Sequence, residues 1–141
     1  MTVLGVGMDV VEVDSFASLV AASGSAFESR VFTDHELDTA DQLPGSRRDK
    51  YLASRFAVKE ALVKAWFAAL PSGAPLLAET ETWAGIEVRN DSFGRPSVHL
   101  LEPVSGVFAQ SLGAVNTHVS LSHEETIASA VVIIDRSTGK E

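Results

Sequence analysis

The chain has 141 residues, is 45% hydrophobic and carries a formal net charge of −8. That length supports one domain with a sizeable core rather than two of ordinary size, and the absence of cysteine excludes disulfide staples, a thiol nucleophile and a thiolate metal site. The negative balance disfavours loose electrostatic binding to nucleic acid or anionic lipid.

The N-terminal stretch has no basic segment ahead of an apolar one, and runs such as AWFAAL and AVVII fall far short of the roughly 20 residues a membrane span needs. The expectation is a single cytoplasmic domain over residues 1–141, with neither a nucleic-acid nor a membrane partner.

Residues 3–13 predict a first strand. Its segment GVGMDVVEV, residues 5–13, reads as buried sheet except at Asp9. An ionised side chain inside a sheet costs several kcal/mol unless it is paired, hydrogen-bonded or bound to a metal, so Asp9 requires compensation. The next segment, DSFASLVAA, predicts a short helix capped by Asp14 or Ser15. Thr33 and Glu36 stand at capping-box spacing and start another helix near Asp34. The stretch DQLPGSRRD has the composition of a loop.

From Tyr51 to Leu70 the periodicity is helical, and Leu52, Phe56, Val63, Trp66, Phe67 and Leu70 predict its buried stripe. Glu60 and Lys64 fall four apart on one flank, the spacing of an ordinary surface pair, with Lys59 closer to the stripe. Residues 71–84 read as a loop. GIEVRND and PSVHLL predict two strands joined as a hairpin through NDSFGR, VSGVFAQSLGAV a helix, and HVSLSH with IASAVVIID a closing pair of strands. The tail RSTGKE is expected to fray.

Charge is unevenly spread. Residues 1–46 hold eight acids against the single base Arg30, whereas residues 47–64 hold Arg47, Arg48, Lys50, Arg55, Lys59 and Lys64 against Asp49 and Glu60. A solvated helix face and a small polyanion site both fit that cluster. Other chemistries fit less well. GVG lacks the third glycine of a dinucleotide fingerprint, HEETI lacks the second histidine of a zinc hydrolase, and no G-x-S-x-G elbow is present. His118 and His123 flank a strand and read by default as structural residues. What remains is Asp9 in an apolar strand, Glu60 on an apolar helix and bases around it. Magnesium commonly takes one or two carboxylates and completes its octahedron with water and phosphate oxygens.

In order and spacing, GVGMDVVEV, RVFTDHEL, RFAVKEALVKAW, GRPSV and HVSLSHEETIASAVV resemble the holo-acyl-carrier-protein synthases, the small phosphopantetheinyl transferases, from about Val3 to Ile134. The resemblance implies an α+β fold, an antiparallel sheet packed against one long helix and shorter helices. It implies transfer of the phosphopantetheine arm from coenzyme A to a carrier-protein serine, releasing adenosine 3′,5′-bisphosphate, in support of fatty acid biosynthesis. By the same match, Asp9 and Glu60 would hold magnesium and Lys64 would contact the coenzyme's phosphates, with Arg55 a further anion contact. Gly94, Arg95 and Pro96 would line the coenzyme pocket through their hairpin, and Ser122 and His123 would approach the nucleotide.

The serine proton would go to Glu60, directly or through a metal-bound water, with His123 as the alternative. Lys59 could equally be a structural ion-pair partner. The resemblance also implies a homotrimer in which residues 94–96 or 122–123 reach a neighbour's Asp9 and Glu60. One departure concerns the carrier. Where many relatives place basic residues that grip an acidic carrier helix, this chain has Asp14 and Ser15, so Arg30, Arg47 and Arg48 or a carrier domain of a larger synthase enter the reading. The competing readings are a magnesium-dependent nucleotide pyrophosphohydrolase and a non-catalytic module that binds coenzyme A or a carrier.

Overall fold

The computed structural model describes residues 1–72 and 77–138. Strand β1 (Thr2–Glu12) leads into three short helices, α1 (Val13–Ser23), α2 (Ser25–Val31) and α3 (Asp34–Asp41), and then the long helix α4 (Gly45–Ala69). Helix α5 (Glu79–Ala84) precedes the hairpin of β2 (Ile86–Asn90) and β3 (Pro96–Leu100). Helix α6 (Val104–Leu112) and strands β4 (Asn116–His123) and β5 (Ile127–Arg136) close the chain. One antiparallel sheet has the order β1-β5-β4, and the hairpin β2-β3 forms a second. The architecture is α+β, as the sequence predicts.

Alternation along β1 decides how α4 lies on the sheet. Gly5 and Gly7 face the helix so closely that a Cβ on either would meet the carbonyl oxygens of Ala65 and Ala61 at 2.0 and 1.9 Å. The two glycines of GVG therefore let a helix backbone approach a strand. Small residues answer on the helix: Ala53, Ala57, Ala61 and Ala65 are fully buried. This corrects the expected stripe. Phe56 and Val63 are only half-buried and Phe67 is exposed, while Ala57, Val58, Ala61, Leu62 and Ala65 join Leu52 and Trp66 inside. A pattern weighted toward large side chains misses a contact whose closeness depends on small ones. Full burial of each larger member, such as Leu62 or Ile134, stabilises the fold by about 1.5–3 kcal/mol.

Local signals held at α3 and at the hairpin. Thr33 accepts from the Glu36 backbone at 3.3 Å, and Glu36 accepts from the Thr33 backbone at 3.0 Å, the reciprocal capping box. The hairpin turns through Asp91–Arg95, with Gly94 at φ +79° and the Asp91 side chain accepting from the backbones of Phe93 and Arg95.

Three expectations fail. Helix α1 starts at Val13 with Glu12 as N-cap, and Ser15 donates its hydroxyl to the Glu12 carboxylate at 2.8 Å instead of capping the helix. Helix α4 begins at Gly45, so Arg47, Arg48 and Asp49 are helical, Pro44 supplying a fixed φ just ahead of it. Part of the expected loop 71–84 is the helix α5, held from outside itself by α4; residues 73–76, and residues 139–141 of the expected frayed tail, lie outside the described residues. No described helix is long and apolar enough to cross a membrane.

Candidate active site

Helix α4 distributes its charged side chains to three surroundings. Lys59 points into the core. Its ammonium is wholly buried, pairs with the equally buried Glu36 at 2.7 Å, and donates to the carbonyls of Trp83, at 2.9 Å, and Ile86. The other Glu36 oxygen accepts from the Val88 backbone at 3.0 Å, and Thr33 extends the network by donating to Glu87 at 2.7 Å. Every polar group here is matched, so Lys59 is the structural ion-pair partner that the sequence left open. Burial pushes its pKa below the usual lysine value, against the pull of Glu36.

Glu60, one residue on, turns to a cleft between the end of β1, α1 and α4. Asp9, Val10, Glu12, Ser15, Phe16 and Phe56 are among its other walls. Asp9 reaches the cleft because it shares the helix-facing side of β1 with Gly5 and Gly7. Its partner is Lys64, whose ammonium lies 3.0 Å from the Asp9 carboxylate and 3.0 Å from the Met8 carbonyl. The sequence suggested a surface pair of Glu60 with Lys64. The structure instead gives Lys64 to a carboxylate 55 residues away, and with it the compensation that Asp9 requires.

The indole N–H of Trp83 donates to Glu60 Oε1. Burial pushes the Glu60 carboxyl above the ordinary carboxylate range, opposed by that hydrogen bond; the negative charges of Asp9 and Glu79 push the same way and Lys64 opposes them. Two carboxylates and an ammonium thus meet at one cleft. Among the described residues no three His, Asp or Glu side chains gather as an all-protein metal site. The charge of Asp9 adds to the cost of ionising Glu60, a cost that a cation between the two carboxylates would relieve.

A second cleft is basic. Arg47, Lys50, Tyr51 and Arg55 of α4 line it with Leu43 and His123, the last residue of β4. Arg55 is buried, its guanidinium lies 3.9 Å from the Tyr51 ring centroid, and its Nε has no hydrogen-bond partner among the described residues. Burial lowers its pKa. Of the expected coenzyme contacts, Arg55 and His123 therefore come together. Arg55 also donates to the Asn90 side chain at 2.7 Å, and Asn90 donates in turn to the Gly94 carbonyl at 3.3 Å. That chain ties the hairpin carrying Gly94, Arg95 and Pro96 to the basic cleft.

Arg95 is held by Asp91 at 2.6 Å at the exposed tip, and Ser122 lies in a shallow groove on the outer face of the sheet with Met8 and Ser120. Within one chain neither joins the cleft of Asp9 and Glu60, and His123 does not either. Sequence reasoning overlooked Trp83 and the roles of Lys50 and Tyr51. The spacing 47, 50, 51 and 55 marks one helix face and could have revealed the basic cleft had α4 been started at Gly45. No local signal points to Trp83, because its partner lies 23 residues away.

With fold and clefts in hand, comparison with known proteins identifies the class. The chain belongs to the 4′-phosphopantetheinyl transferase superfamily, whose family model matches residues 5–128, and it is a transferase of that kind. Within the superfamily its relatives are holo-acyl-carrier-protein synthases. It is 40% identical over 144 residues to that of Mycobacterium leprae, covering 96% of this chain and 98% of the relative. To that of Corynebacterium glutamicum it is 35% identical, covering 93% and 97%. Among solved structures it is similar to an ACPS–CoA complex from Chronobacterium ammoniagenes, with TM-score 0.85, 33% identity, and 94% and 97% of the two chains covered.

Proposed function

We propose that the chain transfers the 4′-phosphopantetheine arm of coenzyme A to a serine of an apo acyl carrier protein or carrier domain, releasing adenosine 3′,5′-bisphosphate, with magnesium held by Asp9 and Glu60. The observation that carries this reading is the convergence of Asp9 from GVGMDVVEV and Glu60 from RFAVKEALVKAW on a single cleft with Lys64 beside them. When bound, magnesium would neutralise phosphate oxygens and stabilise the leaving phosphate.

The chain's own residues supply the rest. Phosphoryl transfer requires alignment and charge neutralisation, and Lys64 presents a half-exposed ammonium where the diphosphate would lie. The serine oxygen forms a bond to the β-phosphorus of the coenzyme as the bond to the bridging oxygen breaks. The serine proton passes to Glu60, whose Oε1 is occupied by Trp83 and whose Oε2 faces no recorded donor among the described residues. The cations Arg47, Lys50 and Arg55 line one cleft with His123, a lining suited to the nucleotide's phosphate, and the unpartnered Nε of Arg55 supports an anion there.

Among the described residues the two clefts share no lining residue, which supports a homotrimer in which the basic cleft and hairpin of one subunit, with Gly94, Arg95, Pro96, Ser122 and His123, serve the carboxylates of the next. The outer face of the sheet supports the same reading. Val6, Met8 and Val10 alternate along it at 54–55% exposure, an apolar strip of the kind subunit interfaces cover. We read residues 1–141 as one cytoplasmic domain that serves fatty acid biosynthesis. The carrier meets a surface in which α1 offers no base and Arg48 is engaged by Glu28 and Asp41, leaving Arg30 and Arg47 as exposed cations.

The test is to incubate the protein with magnesium, coenzyme A and apo carrier proteins and to read the phosphopantetheine adduct by mass spectrometry. An adduct on the serine is expected, and it disappears for Asp9→Ala and Glu60→Ala with the fold retained. Hydrolysis of coenzyme A without modification of any carrier would replace this reading with a nucleotide pyrophosphohydrolase.

A further inference from the structure

Lys59 and Glu60 are neighbours in α4, about 100° apart on the helix, and both hold Trp83 of α5. Lys59 donates to the Trp83 carbonyl at 2.9 Å from inside the core, while the Trp83 indole N–H reaches Glu60 Oε1 at the cleft. The indole plane is held as well. It packs edge-on against Phe56, with ring centroids 5.5 Å apart and 60° between planes. The tryptophan is thus gripped at its backbone, its ring and its polar tip.

An indole N–H donates one hydrogen bond and accepts none. On a carboxylate it occupies one oxygen and leaves the other unengaged. A long side chain such as glutamate otherwise samples several rotamers, and ordering it costs free energy. The backbone position of Trp83 does not depend on the cleft, because the Lys59 ammonium that holds it is fixed by the buried carboxylate of Glu36 at 2.7 Å. Rigidity runs from a saturated core ion pair, through one aromatic residue, to the carboxylate at the cleft.

We propose that Trp83 is the positioning residue of Glu60: its indole N–H holds Oε1 and directs Oε2 toward the cleft shared with Asp9, and the Lys59–Glu36 pair braces the tryptophan from behind. This rests on the reading that Glu60 takes a divalent cation. Groups that hydrogen-bond a metal's ligands typically contribute about 10–100-fold to metal affinity or activity. The role belongs to the N–H, not to the bulk of the ring.

Mn2+ binding, measured by water-proton relaxation with coenzyme A present and no carrier, tests this apart from turnover. Trp83→Phe, which keeps an aromatic ring and loses the donor, is expected to weaken Mn2+ binding about 10–100-fold with little change in Tm, and Trp83→His, which restores an N–H, to recover part of the loss. In the wild-type protein, the 15N-correlated indole resonance of Trp83 is expected to move on Glu60→Gln and on adding Mg2+ with coenzyme A, while that of Trp66, bonded to Ser111 at 2.9 Å, stays in place. Unchanged Mn2+ affinity in Trp83→Phe, or an affinity loss that only tracks a fall in Tm and is not recovered by Trp83→His, overturns the proposal. Failure of the wild-type protein to bind Mn2+ overturns the metal reading itself, and the positioning role falls with it; normal wild-type binding with an indifferent Trp83→Phe overturns the positioning role alone.

Discussion

Helix α4 contributes an ammonium to each of two ion pairs, and they differ in everything except their chemistry. Lys59 and Glu36 are both fully buried, and the carboxylate and ammonium each have further hydrogen bonds to the backbone. Lys64 is 53% exposed and Asp9 17%, and beyond one contact to the Met8 carbonyl no further recorded bond holds either side chain among the described residues. A charge pair that the protein has saturated on every side can only hold the fold together. One left open beside a cleft retains lone pairs and positive charge for something that arrives from solvent. On the proposed reading of the site, satisfaction of hydrogen bonds, more than burial or charge, separates the structural pair on this helix from the one assigned a role in transfer.

The largest effect expected from breaking that contrast is at the buried pair. Lys59→Ala leaves the Glu36 carboxylate uncompensated in the core and should cost about 3–5 kcal/mol of stability, read as a lower denaturation midpoint in urea. Next comes the contact that sets the open pair. A methyl group at Gly7 would meet the Ala61 carbonyl oxygen at 1.9 Å, so Gly7→Ala should push α4 off β1. We expect a loss of about 1–3 kcal/mol in thermal unfolding and, because Lys64 then sits farther from Asp9, a fall in transferase activity larger than the loss of stability implies.

Lys64→Ala sharpens the comparison from the other side. Removing that lysine leaves the Asp9 carboxylate, 17% exposed, without its partner and should cost about 1–2 kcal/mol of stability, less than at the buried pair, yet slow transfer about 100-fold, assayed as the rate of carrier modification at saturating coenzyme A. If Lys59→Ala and Lys64→Ala have similar effects on stability, the distinction fails.

The smallest expected effect is a pH dependence at the edge of the buried network. Burial pushes the Glu87 carboxyl up, but hydrogen bonds from Thr33 and Arg89 and the nearby positive charge of Arg89 outweigh it and hold the pKa below its ordinary value of 4.5. A carboxyl lowered in the folded state contributes stability that is fully present above about pH 4.5 and is lost as pH falls through its folded value. Glu87→Gln should therefore lower stability near neutrality, where that contribution is fully present, and converge with the wild type at the acid end where Glu87 is protonated, so that the acid limb of the stability curve flattens. Unfolding free energies measured between pH 3 and pH 7 would check the sign.

What could be read from the sequence follows the range of the interactions involved. The capping box at Thr33 and Glu36, the hairpin through Asp91 and Gly94, the closing strands and the body of the long helix from Tyr51 onward all rest on contacts within a few residues, and each is where local pattern put it; the first turns of that helix, from Gly45, read locally as loop. The motifs also marked Asp9 as a carboxylate in need of compensation and singled out Glu60 on its helix. Helix α5 was misread because its anchors, Lys59 and Glu60, lie more than twenty residues away. The buried face of α4 was misread because alanine carries little hydrophobic signal, although the glycines of β1 make it the place of closest approach.

By itself, then, the amino-acid order determined most of the helices and strands, the candidate carboxylates and the concentration of bases on one helix, since backbone preference and side-chain chemistry act locally, while the α+β class came with the family resemblance. Only the tertiary structure decided that Lys64 answers Asp9, that Lys59 is spent on Glu36, that Arg55 meets His123, and that Trp83 stands against Glu60. Those choices join residues up to 68 positions apart, and no local term in the chain distinguishes one distant partner of the right charge from another until packing has placed them side by side.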